Sequence, residues 1–139
     1  MSGMTTNSFG ELESVLLDTV SISLDLLSDI IQQINSIEDF IPEKEYFWNQ
    51  MLSVLSQDIT KFVEITTLLS KLLMAHKKVT MPEIKQSHIH LLFVLKGINQ
   101  ARQKHDSLVL EDLIKYELKD NLTQWKIDLI PLIKRQLNS

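Results

Sequence analysis

Residues 108–137 read LVLEDLIKYELKDNLTQWKIDLIPLIKRQL, and this stretch decides the fold. At about 100° per residue, the α-helical angle, Leu110, Ile114, Leu118, Trp125, Leu129 and Leu132 fall within one narrow sector, the expected core stripe. Asn121 falls in the middle of it. Val109, Tyr116, Ile127 and Ile130 fall on nearly the opposite side, with Leu137 close by. A helix packed on one face only would leave this second strip in water, so the pattern asks for a second partner.

The same helical spacing runs through the rest of the chain. With three Gly and three Pro among 139 residues there are few places for tight turns or strand connections, so the chain reads as all-α. Its length suits one domain, and 44% hydrophobic residues is enough material for a sizeable core. Residues 1–7 are polar and aperiodic and predict a disordered tail, with 8–139 as a single helical-bundle domain. Ser8 with Glu11 has the spacing of a capping box. Beyond it Phe9, Leu16, Leu17, Val20, Leu24, Leu27, Ile31 and Ile34 share one face, which Leu12, Val15, Leu26, Ile30 and Ile37 widen. Glu11, Asp18, Asp25 and Asp29 line the other side.

Asp39-Phe40-Ile41-Pro42 breaks this helix, and a second runs from about Pro42 to His76. There Trp48, Leu52, Leu55, Ile59, Phe62, Thr66, Leu69 and Leu73 alternate steps of four and three. Thr80-Met81-Pro82-Glu83 predicts a new capping box and a third helix to about His105, with Ile84, His88, Leu91, Val94, Leu95 and Ile98 inward. Ile89, Leu92 and Phe93 make its middle apolar nearly all round, which predicts burial on two sides. Asp106 or Ser107 caps the fourth helix, in which Pro131 removes one backbone bond and predicts a kink. Four long helices with short connections predict an up-down-up-down antiparallel bundle.

Charge is distributed unevenly. Residues 1–60 carry ten acids against Lys44 alone, whereas 61–139 carry eight acids and thirteen bases, within a net charge of −4. The halves attract, which predicts the last helix beside the first, and the acidic balance argues against a general nucleic-acid binder. No Cys is present, so disulfides and thiolate metal sites are excluded. Di-iron bundles use Glu-x-x-His pairs, yet Leu73, Lys85, Ser87 and Arg102 stand three before His76, His88, His90 and His105. His88 on the inward face reads as a structural histidine. No metal, cofactor or catalytic set is expected, and the chain reads as no enzyme. Neither a membrane span nor a basic-then-apolar leader is present, which predicts a cytoplasmic protein.

Val94-Leu95-Lys96-Gly97 resembles the Leu-Lys-Gly core of histidine phosphotransfer domains, which are also four-helix bundles. In that family the reactive His stands two before the Leu; here Phe93 occupies the position, and Ile98-Asn99-Gln100 replace the small residues that follow. The resemblance implies a degenerate signalling bundle that lacks the reactive His. The run from Leu110 to Leu118, with Trp125 seven residues on, resembles C-terminal segments of small bacterial helical proteins. In acidity, size and expected fold the chain is similar to flagellar and type III export chaperones, which bind client helices.

The residues themselves point to a protein-protein interaction module. Ile89, Leu92, Phe93, Tyr116, Ile127 and Ile130 form its candidate apolar surface, which either packs on helices 1 and 2 or forms a partner or homodimer groove. Glu11, Asp18, Asp25 and Asp29 form either a solvated face or a dock for a basic partner helix.

Overall fold

In a computed structural model the backbone is described for residues 2–40 and 45–138, and side-chain burial for 10–37 and 49–138. The residues described form four helices and no strand. The first is α1 (Ser2–Phe40), followed by α2 (Glu45–Lys77) and α3 (Pro82–Gln103). The fourth, α4, spans 107–137 and is not uniformly wound. Its α-helical segments Ser107–Asp112, Lys119–Gln124 and Ile130–Leu137 are joined by π turns at Leu113–Leu118 and Trp125–Leu129. Helical backbone begins at Ser2, ahead of the Ser8 cap and through the stretch expected to be a tail. The side chains of Ser8, Phe9, Phe40 and Trp48, and the break at Ile41-Pro42, lie outside the described residues.

Both α1 and α3 pack chiefly on α2 and α4. Glu13 near the start of α1 approaches Lys77 at the end of α2, with Oε1 to Nζ 3.8 Å, while Gln33 Nε2 donates to Asp58 Oδ2 at 2.7 Å. The last helix lies beside the first, as the charge asymmetry leads one to expect. Ion pairing contributes little: the Lys77–Glu13 contact is long and open to solvent on the Glu13 side, so it is worth about 0–1 kcal/mol.

Apolar burial holds the helices together. In α2 the buried set Leu52, Leu55, Ile59, Phe62, Thr66, Leu69 and Leu73 follows the predicted register without a slip. In α1 the register differs from the expectation. The buried seam is Leu16, Val20, Ser23, Leu27, Ile30, Ile34 and Ile37, again in steps of four and three. Ser23 is the reason. As a polar residue it is passed over by a hydrophobic pattern, but its Oγ donates to the Thr19 carbonyl at 2.8 Å, which satisfies the hydroxyl inside the helix and lets it occupy a core position. Leu17, placed in the seam by the sequence, is exposed instead.

The helix ends also depart from expectation. Met81, not Thr80, is the N-cap of α3, and no side chain caps it. Asp106 does cap α4, its Oδ1 accepting from Val109 N at 3.2 Å. Lys78 and His105 end α2 and α3 at φ 57° and 54°, in the left-handed region where glycine is usual. Val79 N and Asp106 N then reach back to the Leu73 and Ala101 carbonyls at 3.5 and 2.9 Å. The scarcity of Gly is thus met by side chains held at a cost of about 1–2 kcal/mol each.

Winding explains the double apolar strip of α4. Its buried residues run Leu110, Ile114, Leu118, Leu122, Trp125, Leu129, Ile130, Ile133 and Leu137. On an ideal helix Leu137 lies about 180° from Leu110, on the wrong side. Each π turn takes up about one extra residue, or roughly 100° of phase, so two turns return the stripe to within about 20° of where it began. The Ile130 N–H bonds the Trp125 carbonyl five residues back, just ahead of Pro131. Proline at that point opens a fresh helical segment rather than interrupting one. Ile130, expected on the outer strip, is therefore corrected to a core residue at 1% exposure, while Ile127 stays outside at 62%.

Two stability outcomes follow from this winding and these caps. Ile130→Ala should lower the unfolding free energy by about 2–5 kcal/mol and Ile127→Ala by less than about 0.5, read by urea denaturation. Lys78→Gly should raise it by about 1 kcal/mol by relieving the left-handed φ.

Candidate protein-binding surface

The seam between α3 and α4 positions the residues nearest to a site. Gly97 brings the two helices close: a Cβ there would stand 3.1 Å from Leu113 Cδ1, so the Leu113 methyl occupies the space a larger residue would need. About two turns along α4 from Leu113, the buried Asn121 bridges the helices. Its Nδ2 donates to the Ser87 carbonyl at 3.3 Å and to His90 Nδ1 at 2.8 Å, and its Oδ1 accepts from Ser87 Oγ at 3.2 Å. Because His90 Nδ1 accepts, the ring proton sits on Nε2 and points to Glu117 Oε2 at 3.2 Å. Asn121 is thus a register residue joining α3 to α4, as its place in the core stripe implies.

His88 lies on the other flank of α3 and faces α2. Thr66 Oγ1 donates to the Phe62 carbonyl at 2.7 Å and stands 2.7 Å from His88 Nε2, so the imidazole donates to Thr66. Its ring stacks on Trp125 at 5.5 Å, and Trp125 meets Phe62 edge-on at 5.0 Å. Burial holds the His88 pKa below the ordinary histidine value, so the ring is neutral near pH 7. This is a packing role, in keeping with the structural reading. Trp125 is fully buried, and its indole N–H has no acceptor among the described residues.

An open groove of about 540 Å³ runs along this seam, with Glu83, His90, Asp120, Asn121 and Asp128 among its lining residues. Its carboxylates do not converge: among the described residues no three His, Asp or Glu are arranged to hold a metal ion. No described helix is long and apolar enough to cross a membrane.

The outer surface carries the sequence-selected residues. Ile89, Leu92 and Phe93 are all exposed on α3, so the chain covers only one side of a helix expected to be buried on two. Phe93 is 73% exposed, the highest of the three. Tyr116 is exposed on α4 next to Glu117, whose partner His90 stands one turn before Phe93; Tyr116 and the α3 residues therefore border the same seam. Ile127 is exposed about 16 Å further along α4 and does not join them. Ile130 leaves the set altogether, being core. Glu11, Asp18, Asp25 and Asp29 are exposed on α1, away from this surface. Val15, which the sequence pattern adds to the core face, is exposed beside them, and so is Ile22, which the pattern does not place.

The chain matches no protein-family model, no curated protein and no solved structure in these comparisons.

The neutral, half-buried His88 carries a signed pH dependence. A folded-state pKa below the unfolded value means the unfolded chain binds the proton more readily, so stability is fully present above about pH 6.5 and falls as pH drops toward the lowered value. Urea denaturation at pH 7.5 and 5 should show that loss in the wild-type chain, and His88→Gln should reduce it.

Proposed function

We propose that this chain is a non-enzymatic protein-protein interaction module built as an up-down-up-down antiparallel four-helix bundle. Its role is that of an adaptor, an export-chaperone-like protein or a small regulator. One observation carries the reading. Ile89, Leu92 and Phe93 stand exposed on one helix, bordered by Tyr116, although their transfer from water would be favourable by about 1.5–3 kcal/mol for each large side chain fully buried. A fold that keeps such residues outside its core has a use for them at a contact. The opposite running of α1 against α2 at the Glu13–Lys77 and Gln33–Asp58 contacts supports the bundle topology. The setting we propose is cytoplasmic, in keeping with the absence of cysteine, and bacterial on the resemblance of residues 110–118 to segments of small bacterial helical proteins.

A second reading is favoured by a specific feature. Phe93 occupies the position of the reactive histidine in phosphotransfer domains, exposed beside the exposed Lys96, and Gly97 keeps α4 close behind it. A degenerate phosphotransfer-type bundle would present this face to a receiver domain without accepting the phosphoryl group.

Affinity capture with wild-type chain and with Phe93→Ser tests both. The substitution should leave unfolding free energy within about 0.5 kcal/mol, since the side chain is exposed, while capture of the partner drops at least about tenfold. Equal capture by the two proteins would sink the α3 surface as the contact. A receiver domain among the captured proteins, binding in titration calorimetry and lost in Phe93→Ser, would select the second reading.

A further inference from the structure

Two outward faces of the molecule complement each other and belong to helices at opposite corners. On α1, Asp18, Asp25 and Asp29 are exposed in line with Glu11, and the exposed Val15 and Ile22 lie within about 60° of that line. Not one Lys or Arg occurs between Ser2 and Phe40. On α3, exposed Lys85 and Lys96 bracket Ile89, Leu92 and Phe93, and Glu83 in the first turn is the helix's sole acid. The spacings agree. Asp18 to Asp29 and Lys85 to Lys96 are each eleven residues, about 16 Å of helix; the first interval encloses exposed Ile22, with exposed Val15 one turn ahead of Asp18, and the second encloses Ile89, Leu92 and Phe93. Within one chain the two faces cannot meet, since α1 and α3 are each packed on α2 and α4 between them.

Resting on the protein-binding reading above, we infer that the occupant of the α3 face is the α1 face of a second copy of this chain. Phe93 and its neighbours bury against Val15 and Ile22, and the lysines meet the aspartates at either end. Burial supplies most of the affinity, while the charges select orientation and speed encounter. Because the two faces lie on opposite sides of the molecule, one partner cannot cover both, so the contact is heterologous: each copy that uses its α1 face keeps its α3 face free, and assembly continues past two, either as a chain or as a ring of three or more.

Sedimentation velocity on the full chain reads this directly. The weight-average mass should rise with concentration beyond that of a dimer. One variant, Asp18→Lys with Asp29→Lys, removes the α1 face; a second, Lys85→Ser with Phe93→Ser, removes the α3 face. Each alone should be monomeric with unchanged helical circular dichroism, and an equimolar mixture should form a 1:1 dimer that grows no further, each partner supplying the one face left intact. A wild-type chain that stays monomeric at every concentration, an assembly that stops at two, or a mixture that remains monomeric would overturn the inference. A monomeric wild-type chain that captures a different protein through Phe93 overturns the second-copy occupant alone and leaves the binding reading in place.

Discussion

A helix as long as α4 can keep one apolar stripe against its neighbours only where its winding matches the period of that stripe. With adjacent Leu129 and Ile130 taken as one layer, its buried apolar layers from Leu110 to Leu137 recur about every 3.9 residues, longer than one α-helical turn, and an α-helix carrying them would rotate Ile130 and Leu137 into water. The π turns at Leu113–Leu118 and Trp125–Leu129 absorb the difference. Everything packed on α4 depends on this: α1 meets its last segments, α3 its first ones, and Trp125 between the two holds Phe62 and His88. The second turn ends directly before Pro131, so the lost N–H of proline falls where the backbone bonding already changes.

Polar groups in or beside such a core are costly to leave unpaired, and His88 and His90 are settled in different ways. His88 is bonded by Thr66 and stacked on Trp125, in a setting that disfavours its charged form. His90 is held by Asn121 and turned toward Glu117 at the surface. The Asn121 bridge and the close approach at Gly97 fix the register of α3 on α4 at two points. That rigid seam is what holds Phe93 and Tyr116 at fixed places along one exposed border, and a rigid display favours binding because less side-chain freedom is lost on contact.

The functional reading rests on what the core leaves out. α3 carries enough apolar residues for two buried faces and has neighbours for one. α1 carries exposed acids with no base along its length. In an interaction module these are related facts, since a surface that must be covered by another molecule cannot also be covered by its own chain.

Amino-acid periodicity alone determined the helical class, the buried register of α2 from Leu52 to Leu73 and the structural roles of His88 and Asn121, and cap chemistry narrowed the start of α4 to Asp106 or Ser107. These are local properties: steps of four and three on a uniformly wound helix place side chains without reference to any neighbour. Tertiary structure decided the rest. Ser23 entered the α1 seam because a neighbouring carbonyl took its hydroxyl proton, and Leu17 was displaced from that seam. Ile130 went inward because π turns shift the phase of α4, and a projection at constant angle contains no such shift. Whether Ile89, Leu92 and Phe93 are core or surface is equally invisible in a helix apolar on all sides. Burial is a property of the helices packed around a residue, and only their placement distinguishes the face they cover from the face left to solvent.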